Sequence, residues 1–530
     1  MQNIKVLDVT LRDGGCVINF DFGQAYIDKI LDAQEKSDIE IIELGYLDDK
    51  KGSEHSRTQY INEKVIEKNI IKSKKENISY VAMMDYGKYD VDTLGDRTPN
   101  GIDGIRLAFH KKNYRDIIDV GRKIISKGYD LYIQPMLTLR YSDYELIELL
   151  NLVNDELNDT KAFYIVDSFG EMREGDVIRL FCLINEYLND NMSIGFHSHN
   201  NLQLSYSNTI SLINVVRNRD VIIDSSIMGM GKGAGNLNTE LLLEHLNLFY
   251  NKHYSVEPLL NVVDTVLNQI HSEHYWGYSV EYYLSSTNHC SPTYASHFYN
   301  KHMLPVAMVN ELLAQIEDDK KISFDIKYAD WLYYEYNQKN EVIDDRVIQL
   351  LAKDFENKEV LLVAPGKSIL HAKDIIEEIS SKEEVVTLGL NVGVGYNFDY
   401  ILTTRKEVYD ELKLSNKNII CPSNIVKDIL ENVKVISYKK WTNIDGNGKT
   451  HDSSFAIIAN ILIYFKIKKL YLAGFDGVSL DISKNYYEND MRRPLSRESA
   501  KQFNEEQVAI INKLKKNNIE ILFLTETNYS

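Results

Sequence analysis

The stretch VLDVTLRDGG, residues 6–15, is an apolar run that breaks off in an arginine, an aspartate and two glycines. Val6, Leu7 and Val9 suit a strand buried on both faces, and Gly14 with Gly15 suits a turn. A charged pair where a buried strand ends gains meaning if other strands end at the same place. Seven further runs of this kind follow: IEIIELGY from Ile39, ISYVAMMD from Ile78, GIRLAFH from Gly104, YDLYIQPML from Tyr129, KAFYIVDSF from Lys161, SIGFHSHNN from Ser193 and VIIDSSIMG from Val221. Helical patterns with charged outer faces separate most of them, QAYIDKILDAQEKS (24–37) and EGDVIRLFCLINEYLND (174–190) among them. The connection before Gly104 is too short for a full helix.

Apolar runs alternating with helices predict a parallel sheet covered on both faces. Eight units in roughly 240 residues suit a (β/α)8 barrel, which typically takes about 250. A doubly wound sheet is the competing architecture, and the polar residues decide between them. Arg12 and Asp13 follow the first run, Glu43 lies in the second, His110 follows the fourth, Asp167 lies in the sixth, and His197 and His199 in the seventh. In a barrel those ends converge on one mouth. The expected fold is therefore α/β: an N-terminal TIM barrel over residues 1–254, a helical extension packed on it over 255–339, and a smaller Rossmann-like α/β domain over 340–530. The last has strand-like runs EVLLVAPG, EVVTLGLN, FDYILTT, NIICPS, KVISY, KLYLAGFD and IEILFLTE.

Composition narrows the class of partner. The 530 residues carry a net charge of -18, with 44% hydrophobic and 26% charged residues. That describes a globular chain and argues against nucleic acid or an anionic membrane surface as partner. Cys16, Cys182, Cys290 and Cys421 are far apart and form no CxxC pair, so neither a disulfide framework nor a zinc knuckle is expected. MQNIKVLDVT has no signal-peptide pattern, and SSFAIIANILIYF (453–465) is too short to span a bilayer. The expectation is a cytoplasmic protein that acts on small molecules.

His197 and His199 stand two apart in a strand, so both imidazoles face the same side and can reach one ion. Asp13 stands at the matching end of the first strand, a neighbour if the barrel closes. Two imidazoles and a carboxylate with open positions make a divalent-metal site that polarises a carbonyl.

At this point three segments, DVTLRDGG, GFHSHNN and GMGKGAGNLNTE, resemble in order the signatures of the DRE-TIM metallolyases, and most of all the 4-hydroxy-2-oxovalerate aldolases, over roughly residues 1–300. The resemblance implies that Asp13, His197 and His199 hold Mn2+ or Mg2+, with Co2+ and Zn2+ left open. It implies Asn236 as a further ligand and Arg12 facing the oxygen of a pyruvate-type enolate. It places Ser168 beside the pyruvate carboxylate, and Arg106 and His110 where related aldolases carry an Arg and a His. Tyr282, in GYSVEYYL, falls where relatives have a tyrosine acting on the substrate hydroxyl, and Lys232 in the glycine-rich loop can meet an anionic substrate. Related barrels associate, so a homo-oligomer is expected.

Cys16 departs from the pattern, because those aldolases have a histidine there as general base. A thiol ionises near pH 8.5 and hydrogen-bonds poorly. Three readings stay open: Cys16 is a thiolate base or nucleophile; His110, Tyr282 or a water on the ion moves the proton; or the site binds without completing the aldol reaction. The second is preferred here.

In the C-terminal region, VLLVAPGKSILHAKDII reads as strand, glycine turn and helix, a natural phosphate seat. PGKS lacks the GxxxxGK[ST] spacing, so ATP hydrolysis is not expected. Pro365–Ser368 and the later GFDG loosely resemble sialyltransferase-like and motility-associated glycosyltransferase-like domains. That likeness implies a nucleotide or sugar phosphate near Gly366, Lys367, Ser368, Asn391 and Asp476. The leading reading is a metal-dependent carbon–carbon lyase or synthase, in a surface-polysaccharide setting. The alternatives are a glycosyl- or phospho-group transferase in the C-terminal domain with the barrel as scaffold, and a binding or assembly protein with a degenerate site.

Overall fold

The computed structural model describes residues 3–53, 57–301, 304, 306–391, 396–426, 430–444, 450–481, 485 and 497–529. The chain divides into two compact units, Met1–Ala295 and Ser296–Ser530.

Eight parallel strands form the first unit's barrel: β1 (Ile4–Asp8), β2 (Ile41–Leu47), β3 (Ser79–Asp85), β4 (Gly104–Phe109), β5 (Asp130–Pro135), β6 (Ala162–Asp167), β7 (Ser193–Ser198) and β8 (Val221–Ser225). Neighbours in sequence are neighbours in the sheet, β8 pairs with β1, and β1 pairs with β2 through Leu7–Ile41 and Asp8–Ile42, which closes the ring. All eight strands read from the sequence are present. Between β3 and β4 the described residues hold one short 3-10 turn, Val91–Thr93, and no α-helix, in line with the short connection. A two-residue strand at Gln59–Tyr60, unforeseen, pairs with the end of β2. Gly45 makes room for it, since a Cβ there would lie 2.0 Å from the Thr58 carbonyl oxygen.

Alternation along the strands sorts the core. Leu7, Val9, Ile41, Val81, Tyr132, Tyr164, Val166 and Ile222 cluster inside the ring. Their sequence neighbours, such as Val6, Ile42, Ala82 and Ile165, join the larger cluster shared with the surrounding helices. The inward positions one step nearer the C-terminal ends are polar or charged: Glu43, Arg106, His197 and Asp224, all buried. The apolar plug thus gives way to a polar floor, and above that floor the mouth is built.

The second unit contains a seven-stranded parallel sheet: β9 (Glu359–Val363), β10 (Val385–Leu390), β11 (Tyr400–Leu402), β12 (Ile419–Pro422), β13 (Val433–Ile436), β14 (Lys469–Ala473) and β15 (Glu520–Phe523), in the order β13-β12-β11-β10-β9-β14-β15. From β9 the chain steps outward one way to β13, then returns to place β14 on the other side of β9. The helical stretch 255–339, expected as one extension of the barrel, is divided by the boundary: helices Glu257–Val262 and Val280–Thr287 belong to the first unit, Val306–Ala314 and Ile326–Asn337 to the second. The apolar helix Ser454–Phe465 is a core element, and no helix among the described residues is long and apolar enough to cross a membrane.

Candidate active site

The turn after β1 delivers Arg12 and Asp13 to the mouth, both almost fully buried. Asp13 is held on every side. Its Oδ1 accepts from Arg12 Nη1 at 2.7 Å, and its Oδ2 accepts from Asn236 Nδ2 at 2.8 Å and from the Lys232 backbone N–H at 3.3 Å. Burial opposes its ionisation, but the Arg12 guanidinium and the two imidazoles prevail and hold its carboxyl well below the usual carboxylate range.

His197 and His199 face Asp13 with their ring centroids 5.2 Å apart. His197 Nδ1 lies 2.9 Å from Asp224 Oδ2, a group that can only accept, so Nδ1 carries a proton and Nε2 is the nitrogen placed to offer a lone pair to an ion. His199 Nδ1 faces the Lys232 carbonyl at 3.2 Å, which frees its Nε2 in the same way, 4.0 Å from Asp13 Oδ2. Burial lowers His199 to about 4, so it stays a neutral donor ligand. One ligand atom from each of Asp13, His197 and His199 lies within 4.8 Å of the others. Asn236 adds a buried Oδ1 with no hydrogen-bond partner. Two imidazole lone pairs, an ionised carboxylate and an orphaned carbonyl oxygen fit a divalent cation.

Beneath this cluster the side chains form a circuit. Arg12 Nε donates to Glu43 Oε2 at 2.7 Å, and Arg106 Nη1 donates to the same oxygen at 2.7 Å. Arg106 Nη2 pairs with Asp224 Oδ2, which holds His197. The path runs from Asp13 through Arg12, Glu43, Arg106 and Asp224 to His197, and its two ends meet again across the cation position. Such supports fix a ligand's orientation and raise its basicity.

A family model described as HMGL-like matches residues 3–266, the whole of this barrel. The barrel is an HMGL-like domain. A 4-hydroxy-2-oxovalerate aldolase of Geobacillus genomosp. 3 is 28% identical over 253 residues, 46% of this chain and 71% of its own length. Another, from Chloroflexus aggregans, is 27% identical over 278 residues, 51% of this chain and 77% of that one. Among solved structures, the N-terminal domain of an aldolase-named protein from Bacteroides vulgatus is 26% identical, with 59% of this chain and 97% of that chain covered and a TM-score of 0.47. An HMG-CoA lyase from Bacillus subtilis is 15% identical, covering 51% and 93%, with a TM-score of 0.41.

The other expected residues of the HMGL-like domain fall in different places. Arg106, expected beside substrate, lies under the site instead: its side chain is 0% exposed and is held by Glu43 and Asp224, with its charge over the Tyr164 ring. Ser168 follows β6 and accepts from the Leu137 N–H at 3.1 Å, bracing a left-handed residue of the loop after β5. Lys232 has an exposed side chain, and its backbone rather than its ammonium touches the cluster. His110 is half-buried just past β4, and burial lowers its pKa despite the nearby Asp85. Tyr282 is on the helix Val280–Thr287, and no described hydrogen bond joins its hydroxyl to the cluster. Cys16 has an exposed position in the mouth, yet the protein packed around it and the Asp13 carboxylate push its thiol up to about 12. At neutral pH it is a thiol.

Glu43 stood out in the sequence as a strand-end charge without a role, and Asp224 was not singled out. A carboxylate in the middle of the apolar run VIIDSS is the signal that marked it. The glycine-rich loop's contribution is also spatial: a Cβ on Gly231 would lie 2.2 Å from Asn236 Nδ2 and 2.6 Å from Asp13 Oδ2.

In the second unit the expected phosphate seat is taken. Asp476 Oδ2 accepts the Ser368 N–H at 2.8 Å, and its Oδ1 accepts the Ser368 hydroxyl at 2.5 Å. The helix that follows is a five-residue 3-10 segment, Lys367–His371, without the dipole of a full helix. A carboxylate therefore stands where an anion was expected, and the phosphate reading of the 366–368 turn is corrected accordingly.

Proposed function

We propose that the HMGL-like domain is a divalent-metal-dependent carbon–carbon lyase or synthase of the aldolase type that acts on a small 2-oxo acid through a pyruvate-like enolate. The observation that carries this reading is the convergence of Asp13, His197 and His199, with the Asn236 amide bound to Asp13, beside a buried guanidinium. A bound Mn2+ or Mg2+ would supply Lewis acidity to the carbonyl of the acid. The chain's own groups do the rest. Arg12 Nη2 is buried and has no protein partner, which leaves one charged donor for the oxygen that gains charge as the enolate forms. Nη1 and Nε are fixed on Asp13 and Glu43, so this donor is preorganised.

For the proton, the reading favours His110, which burial keeps neutral at pH 7 and able to accept one. Cys16 is set aside as base because its thiol stays protonated and makes no described hydrogen bond to the cluster. Ser168 and the Lys232 ammonium are assigned to the substrate's carboxylate, and Tyr282 to the hydroxyl of the partner aldehyde. The second α/β unit fused to the barrel is the ground for placing the reaction in surface-polysaccharide precursor synthesis, by analogy alone.

The test is pyruvate in D2O with Mn2+, followed by proton NMR of the methyl group. The parent protein is expected to wash out the methyl protons and His197→Ala to lose that ability. Equal, slow exchange by both would end the enolate reading.

A further inference from the structure

The second unit contains a half-open cavity of about 350 Å³ that nothing in the barrel's chemistry uses. Its place in the sheet is informative. Residues 364–366 directly follow β9 and residues 474–476 directly follow β14, and both segments line it. These two strands are adjacent, and the chain leaves them toward opposite sides of the sheet. The crevice beyond the carboxyl ends at such a reversal is where an open α/β sheet leaves room for a ligand.

The lining is chemically specific. Gln507 is 4% exposed, and its Nε2 is buried with no partner. Asn424 donates through Nδ2 to Asn337 Oδ1 at 2.8 Å, while its Oδ1 is buried with no partner. One orphan donor and one orphan acceptor thus line the same space, and buried amides left in that state call for a ligand or an ordered water to complete them. A third polar wall is already ordered: Ser454 Oγ accepts from Asn391 Nδ2 at 2.9 Å and lies 2.7 Å from Thr404 Oγ1. Phe455 and Phe475, 4.8 Å apart, give it an aromatic side. Arg405 is at the lining with a half-exposed side chain, and its nearest described carboxylate, Glu407, is 3.9 Å away.

We infer that this cavity is a second small-molecule site, which binds a single uncharged, hydroxylated or heterocyclic ring system through Gln507 and Asn424. Paired amide donor and acceptor groups read the edge of a base or the hydroxyls of a sugar, and the aromatic side covers a flat or apolar ring face. The volume is near the lower end of the range for ligand pockets, about 300–1,000 Å³, which suits one nucleoside or one or two sugar rings and excludes a dinucleotide. A phosphate on the ring would meet Arg405 at the edge and not the 366–368 turn, which Asp476 fills. This inference does not depend on the barrel's reaction.

Calorimetric titration of the full chain separates the sources. The probes are the four common ribonucleosides and their 5′-monophosphates, glucose and N-acetylglucosamine and their 1-phosphates, and inorganic phosphate alone. One ring class is expected to bind with one site per chain. Gln507→Glu, which keeps the shape but replaces the donor, and Asn424→Leu are each expected to weaken it at least tenfold. Arg405→Ala should weaken only the phosphorylated member, and Gln507→Glu should leave methyl exchange in the barrel unchanged. The inference is overturned if no ring compound binds more tightly than about 1 mM, if both variants keep the parent affinity, or if inorganic phosphate binds as well as the phosphorylated ring.

Discussion

Arg12 shows how much one side chain does here. Two of its nitrogens are bound to Glu43 and Asp13, and the third is buried without a partner. Arg12→Ala is expected to slow methyl exchange by ~10²–10³, the usual effect of removing one preorganised donor from a developing oxyanion. Cys16→Ser should stay within a few-fold of the parent in the same NMR assay, because the thiol is not the base. These residues were legible because a period of two assigns strand residues to faces, and the chain's strand ends converge. The same rule explains the error at Arg106. Periodicity gives the face on which a residue lies but not its depth, and Arg106 is one layer below Arg12. Its burial between two carboxylates implies that its removal would cost several kcal/mol, on the order of 3–5, through uncompensated charge. The tie from His197 to Asp224 spans 27 residues and leaves no local pattern.

At the scale of elements, strands were read correctly, and contacts across loops were not. Gly231 is a case in point, since its sequence says only "flexible" while its position says "no side chain fits". Gly231→Ala is expected to weaken Mn2+ binding at least ~10-fold, read as metal retained per chain after dialysis, because it displaces Asn236 and Asp13. Gly175→Ala, in the first turn of the helix Glu174–Tyr187 where a Cβ meets nothing within 4 Å, should instead stabilise by about 0.5 kcal/mol. The helix Asp143–Glu156 offers a pH test. Ser142 and Glu145 form its capping box, and Lys111 with the Ser142 N–H lowers Glu145 to about 2 from 4.5. A depressed carboxylate contributes above its unfolded pKa and loses that contribution as pH falls toward its folded value. Glu145→Ala should therefore cost about 0.5–1 kcal/mol at pH 7, discounted for its partly exposed ion pair, and progressively less from pH 4.5 toward 2. Denaturant melts at the two ends of that range check it.

Among the described residues, one large cluster of buried side chains runs through the barrel and its helices, and another packs around the second sheet. Calorimetry is expected to show two transitions, and Mn2+ to raise only one of them, by the midpoint equivalent of about 2.7 kcal/mol at a hundredfold excess over Kd. Both α/β regions were legible in the sequence as strand–helix alternation. The boundary between them was not, since amphipathic helices such as Val306–Ala314 do not record which core they cover. One consequence of the circuit under the site concerns the order of events. Asp13, Glu43 and Asp224 outnumber Arg12 and Arg106 by one, so these five side chains together carry a surplus minus charge and turn anions away. A doubly charged guest reverses that sign. Acid substrates should therefore be admitted only afterwards, in a compulsory sequence written into the arithmetic of five buried side chains.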